Sequence, residues 1–420
     1  MEQSRTGGHS GSRLRLTYPM AGSGTLKHRI AVIEFALLLA CLTASCNGAT
    51  STPESNSVAP STSAPSVRPS SGASATPTQA ALRWSVKVGV DAAVPAFADG
   101  AVFVADGHGH LDAFEAPTGH ELWSAPVPDG HDVGLPIPMV AGAEVFEQTA
   151  TALSAFDAAS GRRLWTRPRI DYRIVPNGTT GTEENAAGNV IVAGGLVFET
   201  SVGQGLVALD ARTGAVVWRR PTARTSVGGL ATDETTVYIV SGTSSGPPAG
   251  FYGDVVVQAF RATDGALVWT RSMPKISVNE VPVVAQGVLF VFTDTGAHSV
   301  YALDAATGTI RYASDAVPHF SSAGISGLIG FGGRGDAVVA FTIRTGAIVW
   351  TSHVPRRSAG AGFPAVAGST VVAAGSVFDA HSGQEIEVLG GSGSNPSNAA
   401  VGDGSAFVVA GPDLVAYRLP

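Results

Sequence analysis

Apolar residues in this chain come in short runs broken by Gly, Asp, Thr and Pro, and the runs recur as one phrase. It is clearest from Leu206 to Trp218, where Leu-Val-Ala-Leu is followed by Asp210, then Thr213-Gly214, then Ala-Val-Val-Trp. The phrase returns at Leu111 to Trp123, Leu153 to Trp165, Val257 to Trp269, Val300 to Tyr312 and Val338 to Trp350, and in worn form at Ser376 to Gly383. Each copy reads as an apolar strand, a tight turn ending in Gly and a second apolar strand. The turn glycines 119, 161, 214, 265, 308, 346 and 383 are spaced by 42, 53, 51, 43, 38 and 37 residues. A period near 40 with two visible strands per copy marks a repeat array.

The first copy predicts four strands: Val94 to Ala98, Ala101 to Ala105, Leu111 to Ala116 and Glu121 to Ala125, with Asp99-Gly100 and Asp106-Gly107 as turns. Its third strand is apolar on both faces, as befits a sheet sandwiched between two others. The chain ends on the third strand of a further repeat, Leu414 to Leu419, whose missing fourth strand stands at the other end as Leu82 to Val86. Seven complete repeats and one shared between the termini predict an all-β, eight-bladed β-propeller of four-stranded antiparallel blades. Pairing of the N- and C-terminal strands closes it and removes an open sheet edge. All six tryptophans (Trp84, Trp123, Trp165, Trp218, Trp269 and Trp350) hold the same repeat position, and Tyr312 and Glu387 replace them in blades 5 and 7.

Those residues carry a resemblance. The repeated Ala-Phe/Leu-Asp-Ala-x-Thr-Gly-x-x-hydrophobic-Trp resembles the tryptophan-docking repeat of pyrroloquinoline-quinone (PQQ)-like propellers, over about 81–420. The resemblance implies that each ring docks on the neighbouring blade. The family includes quinoprotein dehydrogenases, BamB-type assembly lipoproteins of the outer membrane and sensor domains of bacterial kinases, and a fold does not choose among them.

The N-terminus changes the picture by adding an address. Lys27-His-Arg29 precedes an apolar run from Ile30 to Ser45, short for a membrane span and suited to a secretory signal, with Met20 as an alternative start. Leu42-Thr-Ala-Ser-Cys46 resembles a bacterial lipobox, with Leu38-Leu-Ala-Cys41 as a rival. Residues 1–46 are thus expected to be a signal with lipidation at Cys46. Residues 47–80 are almost wholly Ser, Thr, Pro, Ala, Gly and Asn, the composition of a disordered linker reaching on the order of 30 Å. The only two cysteines lie in the signal, so a disulfide framework, a Cys-ligated metal and a Cys nucleophile are excluded from the propeller at 81–420. A net charge of −7 leaves no basic footprint for nucleic acid.

Candidate chemistry is sparse. Asp157, Asp210, Asp304 and Asp379 each stand four residues before a turn Gly, where short polar side chains cap turns. The arginines on or beside outer strands read as a solvated rim. His108, His110 and His131 fall in loops that share a face, but the acids near them (Asp106, Asp129 and Asp132) read as turn residues, so no metal site is assigned. His120 falls on the opposite face. Two insertions share the face of His108: Asp171 to Gly188 between blades 2 and 3, and Ser241 to Asp254 inside blade 4. Loops on a rigid scaffold are where binding resides, so Phe251, Tyr252, Arg173, Glu183, His108 and His131 are the candidate partner contacts. No cofactor is expected, since the cysteine pair and calcium ligands implied by the quinoprotein resemblance have no counterpart. The expected role is a non-catalytic, monomeric, membrane-tethered scaffold or assembly factor that binds a protein of the cell envelope. A PQQ-dependent dehydrogenase and a ligand-sensing module are the alternatives.

Overall fold

In this computed structural model the described residues are 77–420, apart from 90–91, 107, 129–136, 150–151, 169–189, 202–204, 225, 245–251, 277, 279–280, 294–295, 316–322, 335–336, 354–363 and 391–397. Cys41 and Cys46 lie outside them. The described residues form strands and turns without a helix.

Eight antiparallel four-stranded units build an eight-bladed β-propeller. Blade 1 comprises Ala96–Ala98, Ala101–Ala105, His110–Glu115 and Glu121–Pro126. The next six follow in chain order, from Met139–Ala141 at the start of blade 2 to Glu385–Val388 at the end of blade 7. Blade 8 joins Ala399–Gly402, Ser405–Ala410 and Asp413–Arg418 to Leu82–Lys87, which pairs antiparallel with the last strand in the register Trp84↔Ala416. The expected closure is therefore the observed one. First strands of neighbouring blades lie against each other and ring the axis. The Asp99-Gly100 hairpin turns with φ of 48° and 77°, the paired left-handed conformations of a type I′ turn.

The core is laminated between blades. Phe103, Phe146, Phe198, Tyr238, Phe290, Phe331 and Phe407 occupy one position of the second strands and are all nearly inaccessible. Most lie beside the tryptophan of their own blade, as with Phe198 and Trp218 at 5.7 Å between centroids. Every fourth strand carries a β-bulge at the residue before the docking position, for example between Ala113↔Trp123 and Phe114↔Glu121. A bulge adds twist and spoils a flat edge for intermolecular pairing.

One short element departs from expectation. Thr78–Gln79, assigned by composition to the linker, forms a fifth strand parallel to Glu385–Val388 on the outer edge of blade 7. Two residues are too few to leave a pattern. The backbone pairing, together with Ala80 N–H donating to Val388 O at 2.9 Å, holds them.

Candidate functional site

Tryptophan docking defines a direction around the ring. Trp84 Nε1 donates to Ala116 O at 2.8 Å, Trp123 to Ala158 O at 2.9 Å and Trp165 to Ala211 O at 2.8 Å. Trp218, Trp269 and Trp350 reach Ala262 O, Ala305 O and Ala380 O in the same way, and the Tyr312 hydroxyl donates to Ile343 O at 2.9 Å. Each acceptor belongs to the next blade, so every blade has a leading face, which carries the ring, and a trailing face. The turn glycine beneath the ring is required twice over. Gly308 has φ of +69°, and a Cβ there would lie 2.5 Å from Trp269 Cε3.

The repeated acids are turn caps. Asp210 Oδ1 accepts from Thr213 N at 2.8 Å and Oγ1 at 2.6 Å, and Asp157, Asp304 and Asp379 repeat the motif with Ser160, Thr307 and Ser382. Hydrogen bonds donated by these hydroxyls hold the carboxyls of Asp157, Asp210 and Asp379 below the usual range. For Asp304 the Arg311 guanidinium is the leading cause. Two outer-strand arginines do more than form a rim. Arg220 Nε and Nη2 donate to Gly265 O and Asp264 O at 2.8 and 2.7 Å, clamping the next blade's turn. Arg167 stands 3.8 Å from Glu199 of the next blade.

The loops that join second to third strands, and one blade to the next, emerge on one face. At the seam between blades 8 and 1 this face holds a cleft of about 450 Å³ lined by Lys87, Val88, Gly89, Pro412, Asp106, His108 and Asp112. His108 is exposed at its rim, with its N–H bound to Asp106 Oδ1 at 3.0 Å. The His110 N–H donates to the same oxygen at 2.6 Å, and His110 Nδ1 lies 3.4 Å from Asp106 Oδ2. Asp106 thus organises the turn, as its position suggested. Of the other candidate contacts, Phe251, Arg173, Glu183 and His131 lie outside the described residues. Tyr252 opens the third strand of blade 4 opposite Ser244. The insertion expected at 241–254 is therefore partly strand: Thr236–Ser244 and Tyr252–Arg261 extend blade 4 beyond its neighbours.

Sequence reasoning missed Asp112. It lies in a strand taken as apolar on both faces, yet its side chain is buried on the trailing face of blade 1. Burial pushes its carboxyl up to about 6, against a hydrogen bond from Ser124 that favours the ionised form. Glu147 and Glu199 were missed likewise. They occupy the position after Phe146 and Phe198, where most other blades carry Val, Ile, Ala or Gly, and are 2% and 4% exposed. Burial pushes the Glu147 carboxyl well up. An isolated acid between apolar residues reads in sequence as a solvent-facing position, and only the stacking of a second blade over it reverses that.

A bound PQQ with a divalent ion needs polar and carboxylate donors gathered near the axis. The described first strands offer Ala-Phe-Ala, Met-Val-Ala, Ile-Val-Ala, Val-Val-Ala and Ala-Val-Ala in five blades, and among the described residues no three potential ligands cluster. The described residues do not fit that group.

A family profile described as outer membrane protein assembly factor BamB matches residues 73–245, 152–274 and 253–394. Comparison with curated proteins gives no match. Among solved structures, BamB from Moraxella catarrhalis is 20% identical with a TM-score of 0.57, over 80% of this chain and 97% of that one. The computationally designed Ika8 protein is 15% identical with a TM-score of 0.59, over 79% and 99%. A quinohemoprotein alcohol dehydrogenase from Pseudomonas putida is 15% identical with a TM-score of 0.59, over 81% and 76%. At these identities the structural likeness establishes the fold alone. The chain belongs to the BamB family of PQQ-like propellers.

Proposed function

We propose that this BamB-family propeller is a non-catalytic, extracytoplasmic scaffold, held at a membrane by a lipid on Cys46, that binds a protein partner of the cell envelope through its loop-bearing face. The observation that carries this reading is the family match, which spans almost the whole propeller. The geometry is compatible with it. The repeated turn acids cap turns, Arg220 and Arg167 reach across to the next blade, and among the described residues the loop face carries an open recess at the seam of blades 8 and 1. A propeller offers such a face on a rigid frame, and rigid frames with variable loops suit recognition.

The test is a cross-linking and capture experiment on the intact chain in its native membrane, beside a copy with Cys41 and Cys46 changed to Ser. A partner captured by the wild type and lost when residues 245–251 are replaced by a two-residue turn supports the scaffold. That replacement leaves the pairs Thr243↔Gly253 and Ser244↔Tyr252 in place. Reduction of a redox dye only when PQQ and Ca²⁺ are supplied would instead establish the dehydrogenase reading, for which the shared fold of the alcohol dehydrogenases is the support.

A further inference from the structure

Three carboxylates are buried on trailing faces of successive blades: Asp112 in blade 1, Glu147 in blade 2 and Glu199 in blade 3. They share one cross-strand row, Asp112 lying opposite Val104 and Ser124, Glu147 opposite Ser154, and Glu199 opposite Val207. The leading-face residue two beyond the preceding blade's tryptophan looks back at each row. That residue is Arg167 before Glu199, Ala125 before Glu147 and Val86 before Asp112. The blade 2–3 interface therefore supplies its own cation, with Arg167 Nη2 3.8 Å from Glu199 Oε1, and the other two supply an alkyl group.

The two interfaces without an arginine differ in access. Glu147 is 2% exposed. Asp112 is 9% exposed and lines the cleft of about 450 Å³ between blades 8 and 1, with its Oδ1 buried behind the cleft wall and without a hydrogen-bond partner. Lys87 on the cleft wall is directed to Asp413, Nζ to Oδ1 at 3.2 Å. A largely buried carboxylate in the wall of an open cleft, with no arginine or lysine paired to it, is complementary to a charged donor arriving from outside.

We propose that the blade 8–1 cleft is a socket for the guanidinium or ammonium group of a basic side chain on the partner, seated as Arg167 is seated before Glu199. This names the partner's chemistry and rests on the scaffold reading for its being a protein. The cleft is of the size that takes one side chain, at the small end of ligand sites. It opens on the same face as the candidate loops.

The experiment titrates the full-length chain with N-acetyl-arginine amide at pH 7.5 and low salt, with N-acetyl-citrulline amide as the neutral isostere. We expect saturable arginine binding at about 1–10 mM, at least about tenfold weaker binding of citrulline, and loss of binding in Asp112→Asn. Val86→Arg places an arginine where Arg167 stands in blade 2. It should abolish probe binding and raise Tm by about 2 °C, and it carries the test if Asp112→Asn does not fold. Absence of saturable arginine binding by the wild type, equal binding of citrulline, or undiminished binding in both variants would overturn the socket. Partner capture then separates the two readings. Capture that falls at least about fivefold in Val86→Arg, but not in Asp264→Asn on a distant turn, supports both. Capture unchanged in Val86→Arg overturns the socket and leaves the scaffold standing. Arginine binding without any captured partner overturns the scaffold and leaves the cation site supported.

Discussion

Seven of the eight blade interfaces are fastened alike, and the eighth is not. From blade 8 to blade 1 and onward to blade 7, a ring on the fourth strand lies over the next blade's turn glycine and hydrogen-bonds a carbonyl beside it. Between blades 7 and 8 that position holds Glu387, whose Oε2 is buried without a hydrogen-bond partner. The cause is topological. The third and fourth strands of blade 8, Asp413–Arg418 and Leu82–Lys87, come from opposite ends of the propeller, so no turn joins them and no turn glycine lies beneath the docking position. Thr78–Gln79 takes up the place instead, pairing with Glu387 and Val388. A ring closed by its own termini must lose one dock, and the chain covers the loss with a strand.

The comparison breaks most readily at a regular dock. Trp269→Ala removes a 9%-exposed ring and its 2.9 Å hydrogen bond, and should cost about 3–5 kcal/mol in urea unfolding monitored by circular dichroism. Gly308→Ala forces a β-carbon against that ring in a left-handed conformation and should cost about 2–3 kcal/mol by the same measurement. At the seam, Ala80→Pro deletes the donor to Val388 O and should cost about 1–2 kcal/mol. Glu387→Trp sharpens the contrast further. With no turn to receive the ring, it should gain less than about 0.5 kcal/mol, whereas a gain matching the Trp269→Ala loss would refute the topological account.

The acids extend the same contrast to pH. The turn carboxyls are held low, so their stabilisation is present above the unfolded value and is lost as the pH falls through the folded one. Asp112 is raised from 3.8 to about 6, so the native state favours its proton, and stability is lost as the pH rises between those values. Asp112→Asn should therefore be more stable than the wild type at pH 7, by about 1–2 kcal/mol, with the advantage gone near pH 4. Glu147→Gln should act in the same direction. Thermal melts at pH 4 and pH 7 measure both. A wild type that gains on Asp112→Asn as the pH rises would show that the carboxylate has a cation partner within the protein.

Much of this was legible in the chain. The period of the turn glycines, the shared position of six tryptophans and the split repeat at the termini specify blade number and closure, because each is a steric requirement repeated many times. Even the exception at Glu387 was visible, though not its reason, which lies in the absence of a turn rather than in any residue. Asp112, Glu147 and Glu199 were not legible as buried groups. Their burial comes from a neighbouring blade, which for Asp112 is the one assembled from both ends of the propeller, and strand alternation alone assigns such acids to solvent. Arg167 was likewise hidden, since a rim arginine and a clamp between blades have the same local sequence.

The parallel strand at Thr78–Gln79 has a mechanical consequence. A pull on the N-terminal side of the described chain acts first on that two-residue pairing with blade 7, and next on the Leu82–Lys87 pairing that completes blade 8. The tryptophan docks farther round the ring stand behind these contacts and are loaded only after the seam gives way. Tension at the N-terminus would thus unzip the propeller from its point of closure, one blade at a time, and the seam sets the force at which that begins.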